Sequence, residues 1–447
     1  MPEIQTLPIL RCARTDIDGT APFDNDLLDR EALAHKLTGY LDRLNVGAVL
    51  AIDAPWGEGK TWFGKNWAQY LESNNRKVIH IDAFAQDYIE DPFMLLASEF
   101  IELMSDDQEQ LEAFKDKAAN VAKATMSISA KIVMGLLTKY ALGGVDLGEE
   151  IESSMGDGGE EIAALSSKWI EAKFDEHEQD KQTISAFKNE LKQLAEAQEK
   201  SIVIFIDELD RCKPDFAVRL IERIKHFFDV PNIVFVLLLN RKQLESAIKG
   251  VYGTDTDASA YLGKFIHFTF QLPKPTVSDT DAESKYERYI ATTFNKYEFG
   301  QSREYVLFID HLKFWAPRYD LSLRDIEKII ALYAFAQPVQ SLSHLLVYVI
   351  ILKVKRNQLF QRLLKDERGA HVEAKEFIDM IMNDAERRED TNAQRVLCLP
   401  QKWHEAHINN FSYIDGCIAI VTQGEYYYEL KNLFRLLANK IELEIER

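Results

Sequence analysis

The chain of 447 residues is poor in cysteine: Cys12, Cys212, Cys398 and Cys417 are its four, and no two share a paired spacing. That excludes a disulfide framework and a cysteine-based zinc site, and it fits a reducing, cytoplasmic setting. Positive charge is also short. Lys and Arg number 53 against 72 Asp and Glu, a formal net charge of −19. Such a balance disfavours broad electrostatic binding of nucleic acid, while leaving room for a local basic groove. The start, Met1-Pro2-Glu3-Ile4, lacks the basic and apolar pattern of a signal peptide. Uninterrupted membrane-length apolar runs are lacking too. Residues 126–145 are broken by Lys131 and Lys139. Residues 329–352 are uncharged but carry Gln337, Pro338, Gln340, Ser341, Ser343 and His344 near the middle. A bilayer centre penalises those groups, whereas two buried helices meeting at Pro338 tolerate them, so no membrane span is expected. Ten histidines are scattered; His80, His226 and His267 lie on or near apolar stretches and read as core rather than as ligands.

What is present is organised around Ala54-Pro55-Trp56-Gly57-Glu58-Gly59-Lys60-Thr61. It stands between an apolar run, 46–52, and a helical pattern, 62–71. A strand, a glycine-rich turn, Gly-Lys-Thr and a helix form the setting of a phosphate-binding loop. Turn N–H groups wrap a polyphosphate, Lys60 reaches its β- and γ-phosphates, Thr61 holds Mg²⁺, and the helix N-terminus adds partial positive charge. Trp56, Gly57, Glu58, Gly59 and Trp62 belong to the same expected nucleotide contact. The usual pattern has glycine where this chain has Ala54. A surface turn spelling Gly-Glu-Gly-Lys-Thr by accident is the bland alternative.

A second stretch argues against accident. Ile202-Val203-Ile204-Phe205-Ile206 runs into Asp207-Glu208. Asp207, at the end of a buried strand, is expected to hold the Mg²⁺ shell, and Glu208 to polarise the attacking water. A further apolar run, 232–239, ends at Asn240, which is expected to position that water. Strand and helix patterns alternate: strands at 46–53, 77–82, 201–207, 232–240 and, ending at Pro273, 265–272. This predicts an α/β fold with a five-stranded parallel sheet, the last strand at an edge. Asp82 and Asp87 fit either nucleotide contacts or caps. The expected division is 1–92 for the lead-in and first half of the core, 93–200 for a helical insertion, 201–275 for the second half, and 276–447 for a helical lid and C-terminal helical domain. In the last part Ser322 reads as a cap, and Arg324 sits in a first turn against the helix-dipole preference. Residues 353–368 read as basic on one side and apolar on the other.

These residues resemble the KAP family of phosphate-loop NTPases, within the wider ASCE and AAA+ class of ATPases. The likeness rests on the loop with its Trp56, on Ile81-Asp82-Ala83-Phe84, on Ile206-Asp207-Glu208-Leu209-Asp210-Arg211-Cys212-Lys213-Pro214, on Tyr261-Leu262-Gly263-Lys264-Phe265 and on Leu321-Ser322-Leu323-Arg324-Asp325-Ile326. The resemblance implies an ATPase core with a helical insertion between the second and third strands. It implies Arg324 as a lid residue sensing the γ-phosphate, and Arg211, Lys264 or Arg318 as groups reaching a neighbouring subunit's nucleotide. Family members occur in bacterial mobile and phage-defence loci and in animal signalling scaffolds. The combined expectation is a Mg²⁺-dependent ATPase that forms homo-oligomers and acts with a protein partner serving as effector or sensor. Its alternatives are an ATP-binding switch with little turnover, a kinase and a nucleic-acid motor.

Overall fold

The computed structural model describes residues 21–44, 46–89, 92–103, 188–225, 230–276, 279, 281–297, 303–336, 343–387, 390–409 and 430–442. The apolar stretch at 126–145 and most of the expected insertion lie outside them. The elements of the first part are α1 (Glu31–Leu41), β1 (Ala48–Asp53), α2 (Lys60–Ser73), β2 (Val78–Asp82), α3 (Pro92–Leu103), β3 (Ile202–Asp207), α4 (Pro214–Lys225), β4 (Ile233–Leu239), α5 (Arg241–Tyr252), α6 (Ala258–Leu262) and β5 (Phe268–Gln271). A helical stretch at 188–196 precedes β3. The rest is helical: α7 (Ala282–Asn295), α8 (Arg303–Arg318), α9 (Leu323–Ala336), α10 (Ser343–Lys355), α11 (Asn357–Leu364), α12 (Arg368–Arg387), α13 (Thr391–Asn409) and α14 (Leu430–Glu442).

The five strands form one parallel sheet in the order β2-β3-β4-β1-β5. β4 is apolar throughout, and β1 and β3 are apolar up to their terminal Asp53 and Asp207, because both faces are covered. Val49, Ile204, Phe235 and Leu237 enter one core, and Leu50, Phe205, Val236 and Leu238 enter the other. Successive strand residues point to opposite faces, so a continuous apolar run is what a doubly covered strand needs. Each such side chain, fully withdrawn from water, contributes about 1.5–3 kcal/mol. β5 lies at the edge, as its alternating pattern suggests, and exposes Phe268. Leu95, Leu96 and Phe100 of α3, with Leu191 and Leu194, join the first core.

Helices α7 to α14 enclose a separate core containing Trp315, Tyr348 and Trp403, each fully buried. The uncharged stretch at 329–352 is two helices, α9 and α10, on either side of residues 337–342, and Leu345 to Leu352 are buried in protein. Among the described residues no helix is long and apolar enough to cross a membrane. The stretch at 353–368 buries Leu359, Phe360 and Leu363 but is not one continuous helix. α10 ends at Lys355, Arg356 departs from helical geometry at φ −129° and ψ 50°, and α11 begins at Asn357.

Candidate functional site

The loop between β1 and α2 is where the sheet's parallel order places a site, at the carboxyl ends of the strands. Gly57 (φ +84°) and Gly59 (φ +78°) take left-handed conformations there. A Cβ on Gly57 would lie 2.8 Å from Arg324 Cβ, and one on Gly59 would lie 2.9 Å from an Arg30 guanidinium nitrogen. Both positions therefore demand glycine for backbone shape and for space. Ala54, at the position usually taken by glycine, is buried and donates its N–H to the Leu239 carbonyl, 3.2 Å away. It continues the sheet rather than entering the tight turn, so its methyl group is accommodated.

Lys60 opens α2 and is 8% exposed. Its ammonium donates to the carbonyls of Ala54 (2.8 Å) and Pro55 (3.2 Å). Burial lowers its pKa, while Asp210 and Asp207 push it back up. Asp207 ends β3 at 2% exposure. Its carboxylate accepts hydrogen bonds from the Thr61 hydroxyl and from the Glu208 N–H, the latter at 2.8 Å. Burial raises the Asp207 pKa against those bonds. Glu208 follows in the left-handed region (φ +58°, ψ +22°). Such a conformation in a non-glycine residue costs on the order of 1–3 kcal/mol. It turns the chain sharply after the strand. The Glu208 carboxylate is 2.9 Å from Arg211. Burial raises its pKa, and Arg211 opposes the shift.

These groups line one cavity of about 430 Å³. Trp56, Gly57, Gly59, Lys60, Thr61, Trp62, Asp207, Glu208 and Arg324 all border it. Two of the expected residues do not. Glu58 turns away, 3% exposed, to pair with Lys274 at 2.6 Å. Asn240 lies at the end of β4, where its carbonyl accepts from Gln243 and Leu244 and its side chain makes no capping bond. Arg324 reaches the cavity because the start of α9 is docked on the loop: its N–H donates to the Gly57 carbonyl at 3.1 Å. Ser322 caps α9 reciprocally with Asp325, at 3.0 and 3.1 Å. Asp82 and Asp87 accept backbone N–H bonds, from Ala85 and Lys213.

Four further groups complete the surroundings. Arg30, 2% exposed, donates to the Glu58 carbonyl (2.7 Å) and the Pro273 carbonyl (3.2 and 3.3 Å). Lys274 also reaches Asp320, 2.6 Å away in the turn before α9. Asp210 accepts from the Trp56 indole. Tyr289, on α7, lines the cavity wall. Of the three arginines and lysines suggested for action on a neighbour, Arg318 is held by Glu283, Asp390 and the Phe314 ring, and Lys264 lies over the Tyr261 ring. Arg211 alone of them borders the cavity.

A buried lysine at the head of a helix, two left-handed glycines and a strand-end aspartate define a nucleotide-binding P-loop site. The sequence model of the KAP family P-loop domain matches residues 30–338, and the chain belongs to that family. A stretch of 77 residues is 27% identical to the phage T7 exclusion protein of Escherichia coli (strain K12). It covers 17% of this chain and 10% of that relative, so the chain aligns with about a tenth of the relative's length. Among solved structures, the chain overlays the ORC2 protein of Aeropyrum pernix in its ADPNP-ADP complexes with a TM-score of 0.33 and 10% identity, over 98% of this chain and 91% of that one. It overlays the ORC1 protein of the same organism in complex with DNA with a TM-score of 0.34 and 12% identity, over 94% and 95%. At scores this low the fold assignment rests on the sheet order and the loop.

Proposed function

We propose that the chain is a Mg²⁺-dependent ATPase that hydrolyses ATP to ADP and phosphate. The observation carrying this reading is the convergence of Lys60, Thr61, Asp207 and Glu208 on one cavity at the strand ends. The residues fit the ion: the Thr61 hydroxyl and the buried Asp207 carboxylate are a hydrogen-bonded pair of hard oxygen donors. Mg²⁺, when bound, neutralises charge on the phosphate oxygens. Lys60 exchanges its two loop carbonyls for phosphate oxygens. Glu208 takes a proton from the attacking water, for which its raised pKa makes it a better base than an ordinary surface carboxylate. Arg324 reads the γ-phosphate from the lid side. Asn240, at the end of β4 and outside the cavity lining, takes no part in this step. ATP is the default nucleotide because no guanine-reading Asn-Lys-x-Asp run is present.

In this reading hydrolysis drives a movement of α9 against the loop, or assembly of a cytoplasmic homo-oligomer with a protein partner. A role in bacterial phage defence is supported by the short likeness to a protein named for phage exclusion. The test is phosphate release from ATP by the purified chain with Mg²⁺ and with chelator. Metal-dependent release supports the reading, and nucleotide binding with no release overturns it.

One observation favours a second reading. Glu208 is engaged by Arg211, so a chain that keeps this pair with ATP bound is a nucleotide-dependent switch rather than a hydrolase.

A further inference from the structure

The helical region holds a cluster that the nucleotide site does not use. Asp366 lies between α11 and α12, His371 is in the first turn of α12, and His404 and His407 are near the end of α13. Packing of α12 on α13 brings them together. Asp366, His371 and His407 each supply a donor atom, and the three atoms lie within 4.8 Å of one another. Asp366 Oδ1 is 3.2 Å from His371 Nε2 and 2.9 Å from His407 Nδ1. The His371 and His407 side chains are 1% and 5% exposed, whereas that of Asp366 is 58% exposed. The cluster therefore has a histidine floor and a carboxylate at its mouth.

Two features distinguish it from ordinary core histidines. His371 Nε2 and His407 Nε2 are buried and have no hydrogen-bond partner among the described residues. Buried polar atoms rarely stay unpaired. His371 Nε2 is close to the Asp366 carboxylate but is not aligned with it as a donor. The second feature is a hydrogen-bonded chain behind His371. Its Nδ1 is 3.0 Å from His404 Nδ1, and His404 Nε2 is 2.9 Å from the Tyr348 hydroxyl. In the tautomer in which His404 Nε2–H donates to the Tyr348 oxygen, its Nδ1 accepts from His371 Nδ1–H. His371 Nε2 is then a bare lone pair facing a carboxylate, an arrangement that a cation between them relieves. Outer hydrogen bonds of this kind fix the tautomer and direction of a ligating imidazole.

We propose that His371, His407 and Asp366 form a divalent transition-metal site of the zinc class, tying the start of α12 to the end of α13. Two imidazoles and one carboxylate suit Zn²⁺, with water completing the shell on the exposed side. They do not suit Mg²⁺ or Ca²⁺, which take oxygen ligands. The imidazoles of His371 and His407 stack at 4.2 Å with planes 6° apart, and His407 Nδ1–H donates to Asp366 at 2.9 Å, so metal binding moves that proton to Nε2 and tilts one ring. The site shares no residue with the nucleotide loop and stands whether or not the hydrolase reading holds.

The test uses the full chain without an affinity tag, stripped with chelator and titrated with Zn²⁺ by calorimetry, alongside Co²⁺ substitution read by its visible ligand-field absorption. One Zn²⁺ per chain is expected without nucleotide, unchanged in Lys60→Ala. Asp366→Asn, a change at the exposed mouth that leaves the core intact, is expected to abolish saturable binding, as is His407→Gln. Tyr348→Phe keeps the three ligands and is expected to weaken binding about ten- to a hundredfold. The proposal is overturned by the absence of saturable Zn²⁺ binding, by equal binding in Asp366→Asn, or by Mg²⁺ displacing Zn²⁺ at equal concentration.

Discussion

The carboxyl ends of the strands and the helical region both bury titratable groups, and they meet the cost in opposite ways. At the strand ends the charges are kept and partnered. Arg30 lies on two carbonyls, Lys60 on two more, and Asp207 takes a hydroxyl and a backbone N–H. In the helical region the groups are held neutral. Burial pushes the His371 imidazole down to about 4 with His407 adding to the shift, drives His404 well below its usual range, and raises the phenols of Tyr319 and Tyr348. An unpaired charge in a dry interior costs several kcal/mol, so one of these two remedies is required. The first leaves groups ready to exchange partners with a charged ligand. The second leaves lone pairs and hydroxyls in a fixed framework.

The comparison is broken most directly at Lys60. Lys60→Ala is expected to lower nucleotide affinity about a hundredfold or more, because charge-assisted bonds to phosphate are lost. A fluorescent nucleotide titration measures it, and thermal unfolding of the helical region is expected to stay unchanged.

Next is the pH dependence of turnover. The Glu208 pKa is raised by burial, and a base acts in its ionised form. Turnover is therefore expected to rise with pH through that raised value, with a midpoint above that of an ordinary glutamate and a fall of about tenfold per unit below it. A rate profile across mildly acid pH checks this.

Two buried tryptophans sharpen the contrast in packing. Trp67, in the sheet core, donates its indole N–H to Thr38 at 3.0 Å. Trp315, in the helical core, has an indole N–H with no partner among the described residues. Trp→Phe is expected to cost about 1 kcal/mol more at 67 than at 315, read by denaturant unfolding, because only the first change breaks a bond. The smallest effect is expected at Arg211. Its pair with Glu208 is partly exposed and worth under about 1 kcal/mol. Arg211→Ala is expected to change turnover only a few-fold and to move the acid limb to higher pH, since the guanidinium opposes the rise in the Glu208 pKa.

The same contrast explains what the sequence disclosed. Strands β1, β3 and β4 are apolar runs, and the reactive groups lie at the strand end or within seven residues of it: Asp207 ends β3, Glu208 follows it, and Lys60 comes seven residues after β1. The loop and the Asp207-Glu208 pair were therefore legible as contiguous text. Arg30 and Lys274 were not, because they act on Glu58 from 28 and 216 residues away, a relation that only folding creates. The cluster of Asp366, His371 and His407 had no spacing to betray it, since its members come from a turn and two helices joined by packing. The stretch at 353–368 was legible as a pattern, since Leu359, Phe360 and Leu363 are its buried residues, but not as a shape. Its charge pattern is locally helical, but Arg356 breaks it into two helices.

The central claim is that Glu208 is the base of a hydrolytic site rather than one half of a resting ion pair. The measurement that tests it most directly is ATP binding and phosphate release, taken side by side on the unmodified chain and on Glu208→Gln. The account predicts equal binding and turnover reduced by about a hundred- to ten-thousandfold in the variant. Equal turnover in the two proteins, or none in either, would contradict it.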